Sequence, residues 1–195
     1  DIAGLVAGAS KGEGLGNQFL GHIRQVSAIA HVVRCFENPD IIHVAGKIDP
    51  LSDIEVINIE LAFADLESVE KRIKNSGRML KSNDKAVKAQ ALIAQPALEK
   101  LKIALEEGHP ARSVDLDKEE LEAIKDLHLI TLKDMLYVCN VDESSVINGN
   151  EHVENVKELI ANENAEILVL GAEIESDIAE LDDFEERKMF LDDLG

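Results

Sequence analysis

Two short polar segments, far apart in the chain, contain residue types that can handle a nucleotide. The first is Asp1-Ile2-Ala3-Gly4 and the second is Asn140-Val141-Asp142-Glu143. An Asp at the end of a strand can hold a magnesium ion through water, and a nearby glycine lets its own amide reach a terminal phosphate. An Asn and a carboxylate that follow an apolar strand can read the edge of a base. Together the two segments predict a nucleotide switch.

Each segment also allows a plainer interpretation. Asp1 could be an ordinary turn carboxylate, and Asn140 with Glu143 could cap the first turn of a helix. The five glycines at positions 4, 8, 12, 14 and 16 could form a flexible linker. Their spacing lacks the G-x-G-x-x-G of a dinucleotide site, so we interpret them as a mobile switch loop that allows two backbone arrangements.

The sequence around these segments resembles the YchF subfamily of the Obg-like ATPases, within the TRAFAC class of P-loop NTPases. The resemblance starts with the glycine-rich residues 1–20 and includes an Asn-x-x-Glu loop, which this family has in place of the usual Asn-Lys-x-Asp. It covers essentially the whole chain and continues through residues 23–24, 30–37, 53–58, 61–70, 171–175 and 178–183. It implies a ribosome-associated enzyme that binds ATP, or GTP, with Mg²⁺ and hydrolyses it slowly.

The resemblance also implies roles for residues near the phosphates. Asp1 would hold Mg²⁺ through water, and Gly4 would contact the terminal phosphate. Leu5 stands where many GTPases have a water-orienting Gln, so the attacking water must be positioned by another group. His43 matches a loop histidine proposed in the family to assist hydrolysis, although a locally packed loop histidine is an equally open interpretation.

The base-reading loop departs from the usual pattern at its carboxylate. An Asp there would accept two hydrogen bonds from guanine, whereas the longer Glu143 moves the carboxylate and loses that fit. In the family this loop accompanies a preference for ATP, and Val141 would also touch the nucleotide. Gly171, Ala172 and Glu173 match the loop that supports the base in the family.

A phosphate-cradling string G-x-x-x-x-G-K-[ST] does not occur in the 195 residues. That string would supply the backbone amides, the Lys and the magnesium-binding hydroxyl. The family has it upstream of the first segment and has a small TGS domain downstream of the acidic helix. We therefore expect an internal fragment of a longer protein that alone binds nucleotide poorly and does not hydrolyse ATP.

Apolar, β-branched runs alternate with helical patterns along the chain. Runs of strand length lie at residues 28–33, 135–138 and 167–170, and helical patterns lie at 17–26, 118–127 and 153–162. This alternation predicts an α/β fold with a parallel sheet, here part of a P-loop NTPase domain, whose ligand would lie beyond the carboxyl ends of the strands. We expect three segments: G-domain residues 1–50, a helical insertion at 51–112, and further G-domain residues 113–195.

The insertion has the apolar spacing of two coiled-coil helices. Apolar residues recur at 59, 62, 66, 69 and 73, and again at 87, 91, 94, 98, 101 and 105. Because Asn75-Ser76-Gly77 and Ser82-Asn83-Asp84 interrupt the pattern, we expect an antiparallel hairpin. Pro96 falls inside the second helix and should kink it or interrupt its hydrogen bonding.

The formal charge of −19 is unevenly distributed. Residues 71–102 contain nine basic and two acidic side chains, a net +7, whereas residues 173–193 contain ten carboxylates. The expected contacts to ribosomal RNA are Lys71, Arg72, Lys74, Arg78, Lys81, Lys85 and Lys88. Since this stretch has no aromatic residue for base stacking, contacts would be to phosphates, without specificity for a DNA sequence. A solvated helix face remains open, as does a non-catalytic module that binds the ribosome or RNA.

The remaining composition is that of an ordinary globular protein. The chain is long enough for one sizeable core, and no apolar run reaches the roughly 18 residues of a membrane span. We therefore expect a cytoplasmic protein without a membrane partner. Cys35 and Cys139 end apolar runs and are expected as buried thiols rather than a disulfide.

Overall fold

The computed structural model describes residues 20–41, 46–161, 163 and 165–194. These residues form two compact units. We call residues 20–27 with 55–133 the helical unit, and 28–41, 46–54, 134–161, 163 and 165–194 the sheet unit. The boundaries between these units differ from the boundaries of the three segments expected from the sequence. The three-segment division stays a prediction.

Two long helices dominate the helical unit. Helix α1 spans Pro50–Met79, of which the residues from Glu55 onward belong to this unit, and α2 spans Lys85–Glu106. Asp84 is the N-cap of α2: its Oδ1 atom accepts a hydrogen bond from the Ala86 amide at 2.8 Å. Residues 80–84 connect the helices, and such a short link between helices that share a core makes them antiparallel neighbours.

The predicted break at residues 75–77 is wrong, because α1 continues through it to Met79. The Ser76 hydroxyl donates to the Arg72 carbonyl at 2.9 Å, which satisfies this polar side chain inside the helix. Pro96 removes one backbone donor, as expected, yet α2 runs through it to Glu106.

The predicted apolar seam forms the core of the helical unit. A short helix α3, Lys118–Ile124, packs on α2, and its Asp117 cap forms a capping box with Glu120. The buried core consists of Ala62, Val69, Ala94, Ala97, Leu98, Leu101, Leu105, Ala111, Ala123, Ile124 and Leu129. Six of the eleven predicted seam residues lie in this core, and Leu66 and Ile73 pack against it. A coiled-coil geometry stays a prediction.

One buried carboxylate connects α1 to other segments of this unit. Asp65 is fully buried and accepts from the amides of Ile130 and Thr131, from the Thr131 hydroxyl, and from Arg24 at 3.1 Å. Burial raises the pKa of Asp65, and these donors oppose that shift. Arg24 also donates to the Ala64 carbonyl at 2.9 Å, so residues 20–27 are held on the helical unit.

The sheet unit contains three parallel strands in the order β1-β2-β3. They are β1 Ala28–Arg34, β2 Asp134–Asn140 and β3 Ala165–Leu170. Ala28 is opposite Asp134, and Met135 is opposite Ala165. The predicted strands and the α/β class are therefore confirmed.

Three further helices belong to the sheet unit: α4 Glu151–Ile160, α5 Ala172–Glu180 and α6 Phe184–Leu194. Helix α4 buries residues at 3–4 spacing, as an amphipathic helix does. The core consists of Val33, Cys35, Ile54, Met135, Tyr137, Cys139, Val141, Val153, Val156 and Ile160. Both cysteines are buried and free, as predicted. No helix among the described residues is long and apolar enough to cross a membrane.

Candidate functional site

The carboxyl ends of the three strands lie at one edge of the sheet, where ligands bind in parallel α/β folds. Asn140 ends the central strand and is paired in register with Arg34 on one side and Leu170 on the other. The residues that follow the strands are Cys35, Val141 and Gly171. The predicted base-reading residues therefore lie at this edge.

The side chain of Asn140 connects two of these strand ends. Its Oδ1 atom accepts a hydrogen bond from the Ala172 amide at 2.9 Å, so it caps the start of α5. This contact differs from the plainer interpretation, in which Asn140 and Glu143 would cap a turn of their own segment; the cap of that turn is Asp142. The contact also fixes the plane of the Asn140 amide. Among the described residues, nothing accepts a hydrogen bond from its Nδ2 atom, a donor of the kind that reads a base.

Gly171 allows the approach of α5 to the neighbouring loop. A Cβ atom at this position would lie 2.8 Å from Cγ2 of Val146 and 2.9 Å from Cγ2 of Ile174. The next residues differ in exposure: Gly171 is buried, whereas Ala172 and Glu173 are exposed. Glu173 lies in the first turn of α5, where the helix dipole favours a carboxylate.

Val141 is buried, which limits how it could make the nucleotide contact predicted for it. Its side chain is 3% exposed and belongs to the core of the sheet unit, and its amide donates to the Leu170 carbonyl at 2.9 Å. A nucleotide contact by this side chain would require it to leave the core. Only the backbone of Val141 remains suitable for the contact predicted from the resemblance.

Glu143 is exposed and begins a short 3-10 turn, Glu143–Ser145. Asp142 braces the turn: its Oδ1 atom accepts from the Ser144 hydroxyl at 2.6 Å and from the Ser145 amide at 3.1 Å. These hydrogen bonds hold the pKa of Asp142 below its ordinary value. The predicted carboxylate is thus presented on a braced turn.

Sequence reasoning missed Arg34 at the end of β1. Its guanidinium donates to the carbonyls of Phe36 at 3.2 Å, Asn38 at 3.2 Å and Ile41 at 3.0 Å, and it lies 4.7 Å from the centroid of the Phe36 ring. These contacts hold the loop after β1. The signal in the sequence was an Arg at the end of an apolar strand. Its acceptors are backbone carbonyls, which every residue has, so the residue types do not identify them.

Asn150, before α4, was also missed. Its side chain accepts from the Val153 amide at 3.1 Å, so it caps α4, and donates to the Cys35 carbonyl at 2.7 Å. The signal was an Asn just before a helical pattern, since Asn is a preferred first cap.

Four predicted residues lie outside the described part of the chain: Asp1, Gly4, Leu5 and His43. Their roles in holding Mg²⁺, the phosphate and the attacking water stay predictions. Among the described residues, no group of three or more His, Cys, Asp or Glu side chains could hold a metal ion.

The predicted RNA-contacting residues divide by their partners. Arg72 forms an ion pair with Asp126 and is partly buried, and Lys74 lies 3.9 Å from Glu70. The others are exposed and have no ion-pair partner among the described residues. They are Lys71, Arg78, Lys81, Lys85 and Lys88.

The whole chain is similar to curated proteins named ribosome-binding ATPase YchF, and no family model matches it. It is 54% identical over 197 residues to the protein of Bacillus subtilis, covering 100% of this chain and 52% of the relative. It is 40% identical over 199 residues to that of Mycoplasma genitalium, again covering 100% and 52%. The chain thus spans about half the length of the relatives it matches.

A solved structure supports the same assignment. The Schizosaccharomyces pombe YchF GTPase matches 99% of this chain and 52% of its own, with a TM-score of 0.79 and 34% identity. The parallel sheet is that of a partial P-loop NTPase domain. Within that class, the chain belongs to the YchF subfamily of the Obg-like NTPases.

Proposed function

We propose that this chain provides the base-reading and switch segments of a ribosome-associated ATPase. In a protein of the relatives' length, called the full-length protein below, it would help to bind ATP with Mg²⁺ and hydrolyse it slowly. The relatives' name, ribosome-binding ATPase YchF, supports this class of function. The name of the yeast structure, a GTPase, makes GTP the competing nucleotide.

The observation that carries the proposal is the position of Asn140. It ends the central strand, and the contact of its Oδ1 atom with the Ala172 amide holds the side-chain plane. Its Nδ2 donor has no acceptor among the described residues, and the exposed carboxylate of Glu143 follows three residues later. A donor and a carboxylate on one loop are the groups that recognise the edge of a base.

The roles nearest the phosphates follow from the family resemblance. We expect Asp1 to hold Mg²⁺ through water, Gly4 to approach the terminal phosphate, and His43 to help position the water in place of the Gln that Leu5 replaces. The magnesium would neutralise charge on the phosphates.

Equilibrium binding of ATP and GTP by the full-length protein, with and without Mg²⁺, tests the proposal. We expect ATP to bind more tightly than GTP. Asn140→Asp should weaken both, because it replaces the Nδ2 donor and keeps an acceptor for the Ala172 amide. Glu166→Gln, at an exposed position on β3, is a control that should bind normally. A full-length protein that binds neither nucleotide would contradict the proposal.

A second candidate function is non-catalytic binding to the ribosome or to RNA by the basic residues of α1, α2 and the link between them. The observation that favours it is the exposure of Lys81, Lys85 and Lys88 without ion-pair partners among the described residues. Unpaired lysines are available to phosphates, whereas Arg72 is already engaged by Asp126. Ribosome binding that is independent of nucleotide, by a protein without ATP turnover, would favour this candidate.

A further inference from the structure

Both ends of the base-reading loop, residues 140–150, are hydrogen-bonded to Cys35, the residue that follows β1. The amide of Cys35 donates to the Asn140 carbonyl at 2.7 Å. The carbonyl of Cys35 accepts from Nδ2 of Asn150, also at 2.7 Å. The loop therefore begins and ends on the residue that follows the neighbouring strand β1.

Asn150 makes two further contacts that organise this loop. Its Oδ1 atom accepts from the Val153 amide at 3.1 Å, and its Nδ2 atom lies 3.4 Å from Oγ of Ser145, the buried last residue of the turn that starts at Glu143. Gly149 has a φ of +70° and donates its amide to the Ser145 carbonyl at 2.8 Å. A left-handed glycine there lets the chain reverse and bring Asn150 back towards the turn.

We propose that Asn150 is a positioning residue for nucleotide recognition. Through Cys35 it fixes the strand end next to Asn140, and through Ser145 it fixes the turn that presents Glu143. It does not itself need to touch the nucleotide. The inference rests on the proposed function, because it assigns the loop's rigidity to base recognition rather than to folding alone.

Two substitutions separate the positioning contact from the helix cap. Asn150→Asp keeps an acceptor for the Val153 amide, since Asp and Asn cap helices about equally well, but it loses the donor to Cys35. Asn150→Ser also keeps a capping oxygen, and its shorter side chain does not span to the Cys35 carbonyl. Asp183, which caps α6 by accepting from the amides of Glu185 and Glu186, offers a matched control, Asp183→Ala.

The experiment measures ATP and GTP affinity of the full-length protein together with hydrogen exchange of the loop amides. For both Asn150 variants we expect ATP binding to be about fivefold to tenfold weaker, roughly the value of one net hydrogen bond. The amides of Cys35 and Ser145 should exchange faster, and the thermal midpoint should fall modestly because one internal hydrogen bond is lost. Asp183→Ala should lower the thermal midpoint and leave the affinities unchanged.

The unmodified protein distinguishes the two possible failures. If it binds neither ATP nor GTP, the proposed function fails and the positioning role falls with it. If it binds ATP and either folded Asn150 variant binds equally well, the positioning role alone is overturned. An Asn150→Asp variant that does not fold leaves the decision to Asn150→Ser. Loss of folding in both variants would show that Asn150 is structural and would also overturn the inference.

Discussion

Glu143 stands where the usual guanine-binding loop has an Asp. We expect Glu143→Asp in the full-length protein to lower the ratio of the GTP to the ATP dissociation constant by about tenfold, since the shorter carboxylate restores two hydrogen bonds to guanine. Competition binding with both nucleotides measures this ratio. Glu158→Asp, on an exposed face of α4, is the matched control. An unchanged ratio for Glu143→Asp would mean that base selection resides elsewhere.

The burial of Val141 limits how this loop can be redesigned. Introducing a Lys there, as the usual Asn-Lys-x-Asp loop has, would put an ammonium group into the core of the sheet unit. An unpaired buried charge costs several kcal/mol. A double variant with Val141→Lys and Glu143→Asp would therefore be destabilised, and its base preference could not be compared with that of the parent. The single change at Glu143 is therefore the informative one.

Two glycines in different surroundings provide a second prediction. Gly171→Ala should destabilise the protein by roughly 1–3 kcal/mol, because its Cβ would meet Val146 and Ile174 at less than 3.0 Å. Gly77→Ala should instead stabilise it by about 0.5–1 kcal/mol, since it lies within α1 and an added Cβ meets no described atom within 4 Å. Urea unfolding of both variants compares the two effects. Equal effects of the same sign would contradict the packing argument.

The two long helices and the link between them carry the basic residues, and this charge gives a prediction about the salt dependence of ribosome binding. Replacing Lys81, Lys85 and Lys88 with Glu should weaken ribosome binding and make the slope of log K against log salt shallower by about 2 units, because each lost phosphate contact removes nearly one released counterion. Titration of ribosomes at several salt concentrations gives the slope.

The matched control for that experiment reverses Lys118, Lys125 and Lys188, which are also exposed but lie outside the basic stretch. It changes the net charge equally. If both triple variants bind with the parent's affinity and slope, the basic stretch is a solvated helix face.

The elements were predictable where the signal is local. The strands followed from apolar runs such as residues 28–33, and the helix seam followed from the spacing of residues such as Leu98 and Leu101. The break at residues 75–77 was wrong because a buried serine bonded to its own helix behaves unlike an exposed one. Composition alone does not reveal that difference.

The site was predictable in its residue types and less so in its geometry. Asn140, Gly171 and Ala172 come together at the sheet edge, as the strand order requires. The burial of Val141 depends on the side chains that pack around it, and the contact of Asn150 depends on the Cys35 carbonyl, 115 positions away. Arg34 uses carbonyls that are near in sequence, but every residue has a carbonyl, so the residue types do not show which ones accept.

Within the sheet unit, one partly buried histidine makes stability depend on pH. Desolvation lowers the pKa of His31 from 6.5 to about 4, an effect only partly offset by the Asp53 carboxylate, and its Nδ1 atom is buried without a hydrogen-bond partner among the described residues. The folded protein thus keeps this ring neutral, whereas the unfolded chain protonates it below about pH 6.5. The contribution of the neutral His31 ring to the free energy of unfolding is complete above pH 6.5. It is lost as the pH falls towards 4, by roughly 3 kcal/mol in all.

Urea unfolding of the chain at pH 7.5, 6 and 5 tests this dependence by comparison with His31→Leu. The free energy of unfolding of the parent should fall relative to that of the variant as the pH decreases. His109→Leu, at an exposed position, should keep the parent's pH dependence. Parallel curves for the parent and His31→Leu would contradict the assignment.

The pairing of β1 with β2 has a consequence for how the protein is made. Ala28 and Asp134 are register partners although 106 positions separate them, and most of the helical unit lies in between. Closing an unstructured loop of that length costs about 4 kcal/mol in chain entropy, whereas a helical segment that has already folded shortens the distance to be closed. At typical translation rates, β1 leaves the ribosome roughly 5–20 s before its partner. We therefore expect the helices to fold first during synthesis, with β1 exposed to chaperones until the central strand arrives.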